Sequence, residues 1–322
     1  MWEKESTQTG ITVRSLSDAV ESYLGDCRAR NLAESTITSY RKTLEYLTDF
    51  CKGNELRQIQ EVDLGILTDF RASRNVKAST SGKELETLRA FCAFAKKRRW
   101  IEENYAKELE PPKEDSCPTM PYTPAEVDQI LWACTVLDDD NPNTRERTRA
   151  RALAFCLVML YSGLRISDTV KLKRESVDLR TGKLFLRVMK TGKELYVRLG
   201  WPAVEALEAL PQEGGYFFWN GYSKLTTAIG NARKTISRVM TVAKVKGHPH
   251  RFRDTFSVTL LEKGEGLRTV QLLLGHESIK TTEKHYAPFV ESFQKVLDGA
   301  TAKLDFGTGF GTNSGTKRQI AS

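Results

Sequence analysis

Cysteine, histidine and long apolar runs are scarce in this sequence of 322 residues, and each scarcity argues against a class of protein. The six cysteines are scattered, with no Cys-x-x-Cys pair and no histidine at metal-ligand spacing, so we predict reduced thiols and no metal site. Cys92, Cys134 and Cys156 lie in apolar runs, which favours a cytosolic compartment. The longest apolar run, 152–160, is too short to span a membrane, and the charged N-terminus lacks the apolar stretch of a signal peptide. The sequence therefore predicts a cytoplasmic protein with no membrane partner.

The sequence also lacks a phosphate-binding P-loop and a carboxylate cluster suited to Mg²⁺, so no cofactor is expected. It does have an excess of positive charge, with 49 Lys and Arg against 41 Asp and Glu, a formal charge of +8 and a pI near 9.1. This excess suits a polyanionic partner such as nucleic acid, although a similar surplus occurs in proteins that only need solubility. Composition therefore suggests a partner, and the motifs must decide.

Residues 12–110 predict a helical N-terminal domain. One amphipathic helix follows a start signal at Ser35 and Thr36, and a second lies further along; their apolar faces carry Ile37, Tyr40, Leu44 and Leu47, and Leu85, Leu88, Cys92 and Ala95. The basic side chains on these helices could line a DNA duplex, and the candidates are Arg41, Lys42, Lys83, Lys96 and Lys97. A run of charge on a helix is more often a solvated face, so each candidate is weak by itself.

Residues 111–121 are rich in proline and predict a linker to a second domain, residues 122–304. A capping box of Thr123 and Glu126 predicts a helix to about 137, a turn-prone stretch follows at 138–143, and a long helix is expected over 145–164. A small antiparallel sheet is expected from segments 177–179, 184–188 and 195–199. Helices are expected again at 224–244, 253–263, 266–274 and 279–286, then an amphipathic helix at 292–304 and a disordered tail at 305–322.

Four short segments of the second domain carry residues suited to phosphate chemistry. In chain order they contain Arg165 and Asp168 in 162–168, Lys190 in the hairpin turn 190–193, His250 and Arg253 in 250–253, and His276 in 273–276, ten residues before Tyr286. Each motif is weak alone, and their order and spacing are the strong signal. Together they resemble the tyrosine recombinase (phage integrase) family over nearly the entire chain. The resemblance implies a mainly α fold with a small antiparallel β-sheet: an N-terminal helical, SAM-like core-binding domain that clamps DNA, and an α+β catalytic domain.

The resemblance also implies a role for each of these residues. Attack on an anionic phosphodiester requires cations that hold the non-bridging oxygens, and guanidinium forks suit this task, so Arg165 and Arg253 are the predicted clamp. Tyr286 is the predicted nucleophile; its phenol, with a pKa of about 10 when free, needs nearby cations or a base.

The remaining roles concern protons and positioning. His250 is expected to take part in proton transfer from the phenol, and His276 to donate a hydrogen bond to the phosphate. Lys190 is expected to protonate the departing 5′ oxygen, with Lys193 in the same turn as its competitor. Asp168, one turn after Arg165 on the same helical face, is expected to orient the pocket. His248 and His285 match no family role.

The predicted function is therefore site-specific DNA recombination through a 3′-phosphotyrosine intermediate, without ATP or metal. The expected partners are double-stranded DNA, further copies of the chain in a synaptic tetramer linked by helix 293–304, and accessory DNA-bending or directionality proteins. Two alternatives stay open at this point: a type IB topoisomerase-like nicking and closing enzyme, and a catalytically silent DNA-binding regulator or architectural protein.

Overall fold

The computed structural model describes residues 12–113, 120–139 and 141–275, and the chain forms two compact units, residues 1–117 and 118–322. The described part of the first unit is helical, as predicted. Its α-helices are α1 (Leu16–Ala29), α2 (Glu34–Gly53), α3 (Leu64–Ser73) and α4 (Ala78–Lys97).

The apolar faces predicted for α2 and α4 form the core of this unit. Most of their apolar residues are at most 3% exposed, and Tyr40 packs half-buried against them. The start signal assigned to Ser35 was wrong, because α2 begins at Glu34 after Ala33, which makes no side-chain cap. The negative charge of Glu34 in the first turn complements the helix dipole and favours this earlier start.

The second unit combines seven described helices with one sheet. Its elements are α5 (Pro124–Val136), α6 (Pro142–Ser162), α7 (Ile166–Val170), β1 (Val177–Asp178), β2 (Lys183–Arg187), β3 (Glu194–Arg198), α8 (Trp201–Glu208), α9 (Leu225–Ala243), α10 (Pro249–Glu262) and α11 (Leu267–Leu274). The sheet is antiparallel in the order β1-β2-β3, and Phe185 pairs with Tyr196 at the centre of the β2–β3 hairpin. The predicted sheet is confirmed, whereas α8 was not predicted.

Proline fixes where three of these helices begin. The predicted capping box of α5 is present, with Thr123 and Glu126 each bonded to the other's backbone N–H. Helices α6 and α10 begin at Pro142 and Pro249, three and four residues before the positions expected from the sequence. Proline lacks an N–H and has a helical φ, so it fits the first turn, where that N–H would have no partner in the helix. These two starts were predicted too late.

Helix α6 runs through the centre of the second unit and is buried over most of its C-terminal half, from Ala152 to Ser162. It packs against α5, α8 and α10, so its C-terminal end comes to lie beside α10 and α7. The five described cysteines are buried free thiols, in agreement with the prediction. Among the described residues, no helix is both long and apolar enough to cross a membrane. The helices predicted at 279–286 and 292–304 and the tail 305–322 lie outside the described residues.

Candidate active site

The first candidate residue, Arg165, follows the tight end of α6. Gly163 closes that helix in the left-handed conformation at φ +61°, and a Cβ there would come within 2.5 Å of the Phe256 ring, so only glycine fits. Arg165 then stands immediately before α7, with its side chain half-buried. Its Nη1 is buried and has no hydrogen-bond partner in the part of the chain that the structure describes. A buried guanidinium nitrogen of this kind suits an anionic acceptor from a ligand.

Arg253 lies on α10 and is 3% exposed. Its Nη1 donates to the carbonyl of Gly163 at 2.7 Å, and its Nη2 donates to the carbonyl of Leu274 at 2.5 Å. These two carbonyls belong to the C-terminal ends of α6 and α11, where backbone oxygens have no partner within the helix. Arg253 therefore fixes three helices around one guanidinium.

Asp168 lies in the first turn of α7, 4% exposed, and its Oδ1 accepts a hydrogen bond from the backbone N–H of Met189 at 2.9 Å. Burial raises the pKa of this carboxyl, while the Met189 N–H and the charges of Arg165 and Arg253 act in the opposite direction. The prediction that Arg165 and Asp168 lie on the same helical face was wrong, because Gly163 ends α6 and Arg165 precedes α7 in extended backbone. Asp168 nevertheless interacts with both arginines and connects α7 to the β2–β3 loop.

The β2–β3 loop carries both candidate lysines. The backbone N–H of Val188 bonds to the carbonyl of Lys193 at 2.8 Å and closes the loop, so Lys190 lies at its exposed tip. Gly275, which ends α11 at φ +60°, faces this loop: a Cβ there would be 3.3 Å from Val188. The base of the lysine loop therefore lies against the end of α11.

His250 is the second residue of α10, with 52% of its side chain exposed. Its Nε2 lies 3.9 Å from Oδ1 of Asp254, one helical turn later. Its neighbour Arg251 has a structural role, because its guanidinium bonds both carboxylate oxygens of Glu126 on α5.

The C-terminal ends of α6 and α11, the starts of α7 and α10 and the β2–β3 loop thus meet around Arg165, Asp168 and Arg253. Lys190 and His250 are carried by two of these elements, on exposed positions. His276 and Tyr286 lie outside the described residues, which end at Gly275. The described part of the site can hold an anion through guanidinium groups in a largely buried setting.

The candidate DNA contacts of the first unit lie on its helices in different settings. Arg41 forms an ion pair with Glu21 at 2.9 Å, Lys96 forms one with Glu103 at 2.7 Å, and the ammonium of Lys42 lies over the Tyr46 ring at 5.8 Å. Lys83 and Lys97 are exposed. Their contact with DNA stays a prediction.

Motif reading missed two features of this site. Asp254 is 8% exposed and adjoins both His250 and Arg253. Its four-residue spacing from His250 could have predicted this contact, because residues at that spacing meet on one face of a helix. The carbonyls that hold Arg253 have no sequence signal, because any residue supplies a carbonyl.

Two family profiles match the chain. The profile described as the phage integrase family matches residues 122–290, and the profile described as the phage integrase N-terminal SAM-like domain matches residues 20–99. The chain belongs to the phage integrase family. Tyrosine recombinase XerC of Oceanobacillus iheyensis is 30% identical to this phage integrase over 273 residues, which are 79% of this chain and 86% of the relative. The protein is a site-specific DNA recombinase, an enzyme that cuts and rejoins DNA strands.

Solved structures agree on the fold of this phage integrase. A lambda integrase dimer bound to a COC′ core site has a TM-score of 0.67 at 16% identity, over 85% of this chain and 77% of that chain. A lambda integrase tetramer bound to a Holliday junction has a TM-score of 0.66 at 17% identity, over 84% and 79%. The predicted fold class, a helical SAM-like domain followed by an α+β catalytic domain, is confirmed. These relatives give no support to a topoisomerase-like enzyme or to a catalytically silent DNA-binding protein.

Proposed function

We propose that Tyr286 is the nucleophile of this recombinase and that Arg165 and Arg253 hold the phosphate that it attacks. The phenol oxygen bonds to phosphorus as the bond from phosphorus to the 5′ oxygen breaks, which leaves a 3′-phosphotyrosine and a free 5′ hydroxyl. His250 takes the phenol proton, His276 donates a hydrogen bond to a non-bridging oxygen, and Lys190 gives a proton to the departing 5′ oxygen.

The observation that carries this proposal is the buried Nη1 of Arg165, which has no hydrogen-bond partner among residues 12–113, 120–139 and 141–275. A buried guanidinium nitrogen without an acceptor is costly, and a phosphate oxygen supplies a charge-assisted acceptor. Arg253 supports the same position, because its bonds to the ends of α6 and α11 fix it beside this pocket before substrate arrives. Preorganised cations of this kind stabilise the charge that builds on phosphate in the transition state.

Two further features of the proposed reaction are the protonation of the departing 5′ oxygen and the energy for rejoining the strand. Lys190 lies at the exposed tip of a loop whose base is fixed by Asp168 and Gly275, so its ammonium can reach out while the loop keeps its place. The phosphotyrosine conserves the energy of the broken phosphodiester, so rejoining requires neither ATP nor a metal.

We infer that double-stranded DNA lies along both domains and that four copies of the chain assemble on two duplexes, as lambda integrase does on a Holliday junction. Residues 12–110 are the proposed clamp, with Arg41, Lys42, Lys83, Lys96 and Lys97 toward DNA, 111–121 the linker, 122–304 the catalytic domain and 305–322 the tail. Accessory DNA-bending or directionality proteins and a cytoplasmic location belong to the same proposal. The free, buried thiols suit a reducing compartment.

Replacement of Tyr286 by phenylalanine tests the nucleophile. A binding site is first selected from a random pool of DNA duplexes, and a nicked duplex of that sequence is then used to trap covalent complexes. Tyr286→Phe is expected to bind this duplex with unchanged affinity and to form no covalent complex, because only the hydroxyl is lost. Wild-type protein is the positive control. A covalent complex with Tyr286→Phe would place the nucleophile elsewhere.

A further inference from the structure

Asp254 is a buried carboxylate that the proposed reaction has not yet used. It lies on α10 one turn after His250 and directly after Arg253, and it is 8% exposed. Its Oδ1 faces Nε2 of His250 at 3.9 Å, a distance beyond hydrogen-bond length at which the attraction between opposite charges is still strong. The carboxylate therefore lies behind the exposed imidazole, on the side of the protein interior.

Burial of the charged form of this carboxylate lowers the stability of the fold. Burial raises the pKa of Asp254 to about 6, although the guanidinium charges of Arg253 and Arg251 act to lower it. Each of these arginines also meets a second carboxylate, Glu126 from α5 on Arg251 and Asp168 from α7 on Arg253. The positive charge of each arginine is therefore shared between Asp254 and a second carboxylate.

The sign of this shift fixes its effect on stability. A folded-state pKa raised above the ordinary value of 3.8 means that the fold favours the protonated carboxyl, and that this stabilisation is lost as pH rises through about 6. At neutral pH the carboxylate is ionised and weakens the domain. A buried charge with this cost points to a function.

We propose that Asp254 is a positioning residue, which orients the His250 imidazole and stabilises its protonated form while the DNA strand is cut. The inference rests on the proposed role of His250 as acceptor of the Tyr286 proton. Neutral imidazole gains a proton as the bond from the phenol oxygen to phosphorus forms, so a positive charge appears 3.9 Å from the carboxylate.

The test is the pH profile of covalent-complex formation with the nicked duplex, for wild type and Asp254→Asn. Cleavage by wild type should fall at low pH as the imidazole becomes protonated before it can act as a base. Asparagine removes the charge that favours imidazolium, so this acid limb should move to lower pH by about half a unit or more. The rate at the plateau should fall about tenfold, part of what a positioned base contributes.

Three controls separate positioning from structure. Asp128→Asn, on the exposed face of α5, makes the same change in net charge and should leave the profile unchanged. Asp254→Glu keeps the charge and should keep the acid limb near that of wild type. In a His250→Gln background Asp254→Asn should have no further effect on the rate, because the aspartate acts through the histidine.

Thermal unfolding at pH 8 completes the test. Asp254→Asn should melt at the same temperature as wild type or a few degrees higher, because the buried charge is gone. A large fall in melting temperature, an acid limb that does not move, or an equal loss of rate with and without His250 would each overturn the positioning role. Failure of wild type to form any covalent complex would instead overturn the proposed function, so the two failures are distinct.

Discussion

Arg165 and Arg253 differ in what each guanidinium contacts, and this difference decides how a substitution at each should act. Arg253 bonds two main-chain carbonyls, of Gly163 and Leu274, so it supports the fold in addition to its proposed contact with phosphate. Arg165 has a buried Nη1 with no hydrogen-bond partner among the described residues, which fits its proposed contact with phosphate. A lysine at either position carries the charge but not the planar fork.

We predict that Arg253→Lys lowers both stability and cleavage, whereas Arg165→Lys lowers cleavage alone. The single nitrogen of lysine cannot occupy the positions of both Nη1 and Nη2, so one carbonyl is expected to lose its donor, and an unsatisfied buried carbonyl costs about 1–3 kcal/mol. Loss of one preorganised donor to the transition state lowers cleavage by about 10²-fold or more in either variant. Thermal melts and covalent-complex rates measure the two effects. Equal destabilisation by both lysine variants would contradict this division of roles.

Arg165, Arg253 and Asp254 show which parts of the site could be predicted from the sequence. The motif around Arg165 carries both the predicted arginine and Gly163, whose left-handed backbone places that arginine, so a short string was enough. The motif around Arg253 predicts the arginine but not its carbonyl partners, which come from residues 90 and 21 positions away. The spacing of Asp254 from His250 could be seen in the sequence, whereas its burial could not, because burial depends on the elements that pack against α10.

At the level of elements, the β2–β3 loop combines a fixed base with an exposed tip. Asp168 holds the N–H of Met189, and Gly275 lies against Val188, so the two residues before Lys190 are held while its side chain extends outward. Lys193 supplies the carbonyl that closes the loop. Its backbone therefore has a structural role that the Lys190 backbone does not share.

A leaving-group experiment separates the two lysines. We predict that Lys190→Ala slows cleavage of an ordinary duplex by about 10²-fold or more, because the 5′ alkoxide leaves without a proton. A duplex with sulfur in place of the bridging 5′ oxygen should restore the rate, because a thiolate leaves without protonation. Lys193→Ala, the matched control in the same loop, should cleave both duplexes almost normally. Rescue of Lys193→Ala and not of Lys190→Ala would assign the acid to Lys193.

Element boundaries show where periodicity alone fails. The starts of α6 and α10 were predicted late because Pro142 was placed in the turn-prone stretch 138–143 and Pro249 was given no role, although proline is favoured in the first helical turn. Helix α8 was missed although Pro202 stands in its first turn and Ala203, Val204 and Leu207 form its buried face. These prolines are visible in the sequence, and the preference of proline for the first helical turn would have predicted all three helix starts.

At the scale of the whole molecule, the proposed tetramer on DNA needs an attraction between copies that each carry a net charge of +8. Charge attracts single chains to DNA and is screened by salt, but it cannot join four copies, because like-charged copies repel. A specific contact between copies must supply that attraction. The apolar stripe predicted at 292–304, with Phe293, Val296, Leu297 and Leu304, is the proposed contact.

Removal of residues 291–322 should therefore weaken assembly more than DNA binding. We predict single-site affinity within about twofold of wild type, because the proposed clamp and phosphate pocket are intact, and a loss of about tenfold or more in the pairing of two sites, which corresponds to about 1.4 kcal/mol of contact energy. Gel-shift titrations with one-site and two-site duplexes measure both quantities. Removal of residues 305–322 alone is the matched control and should change neither, because the apolar stripe stays. An equal loss of binding on both duplexes would show that the stripe packs within its own chain and stabilises the catalytic domain.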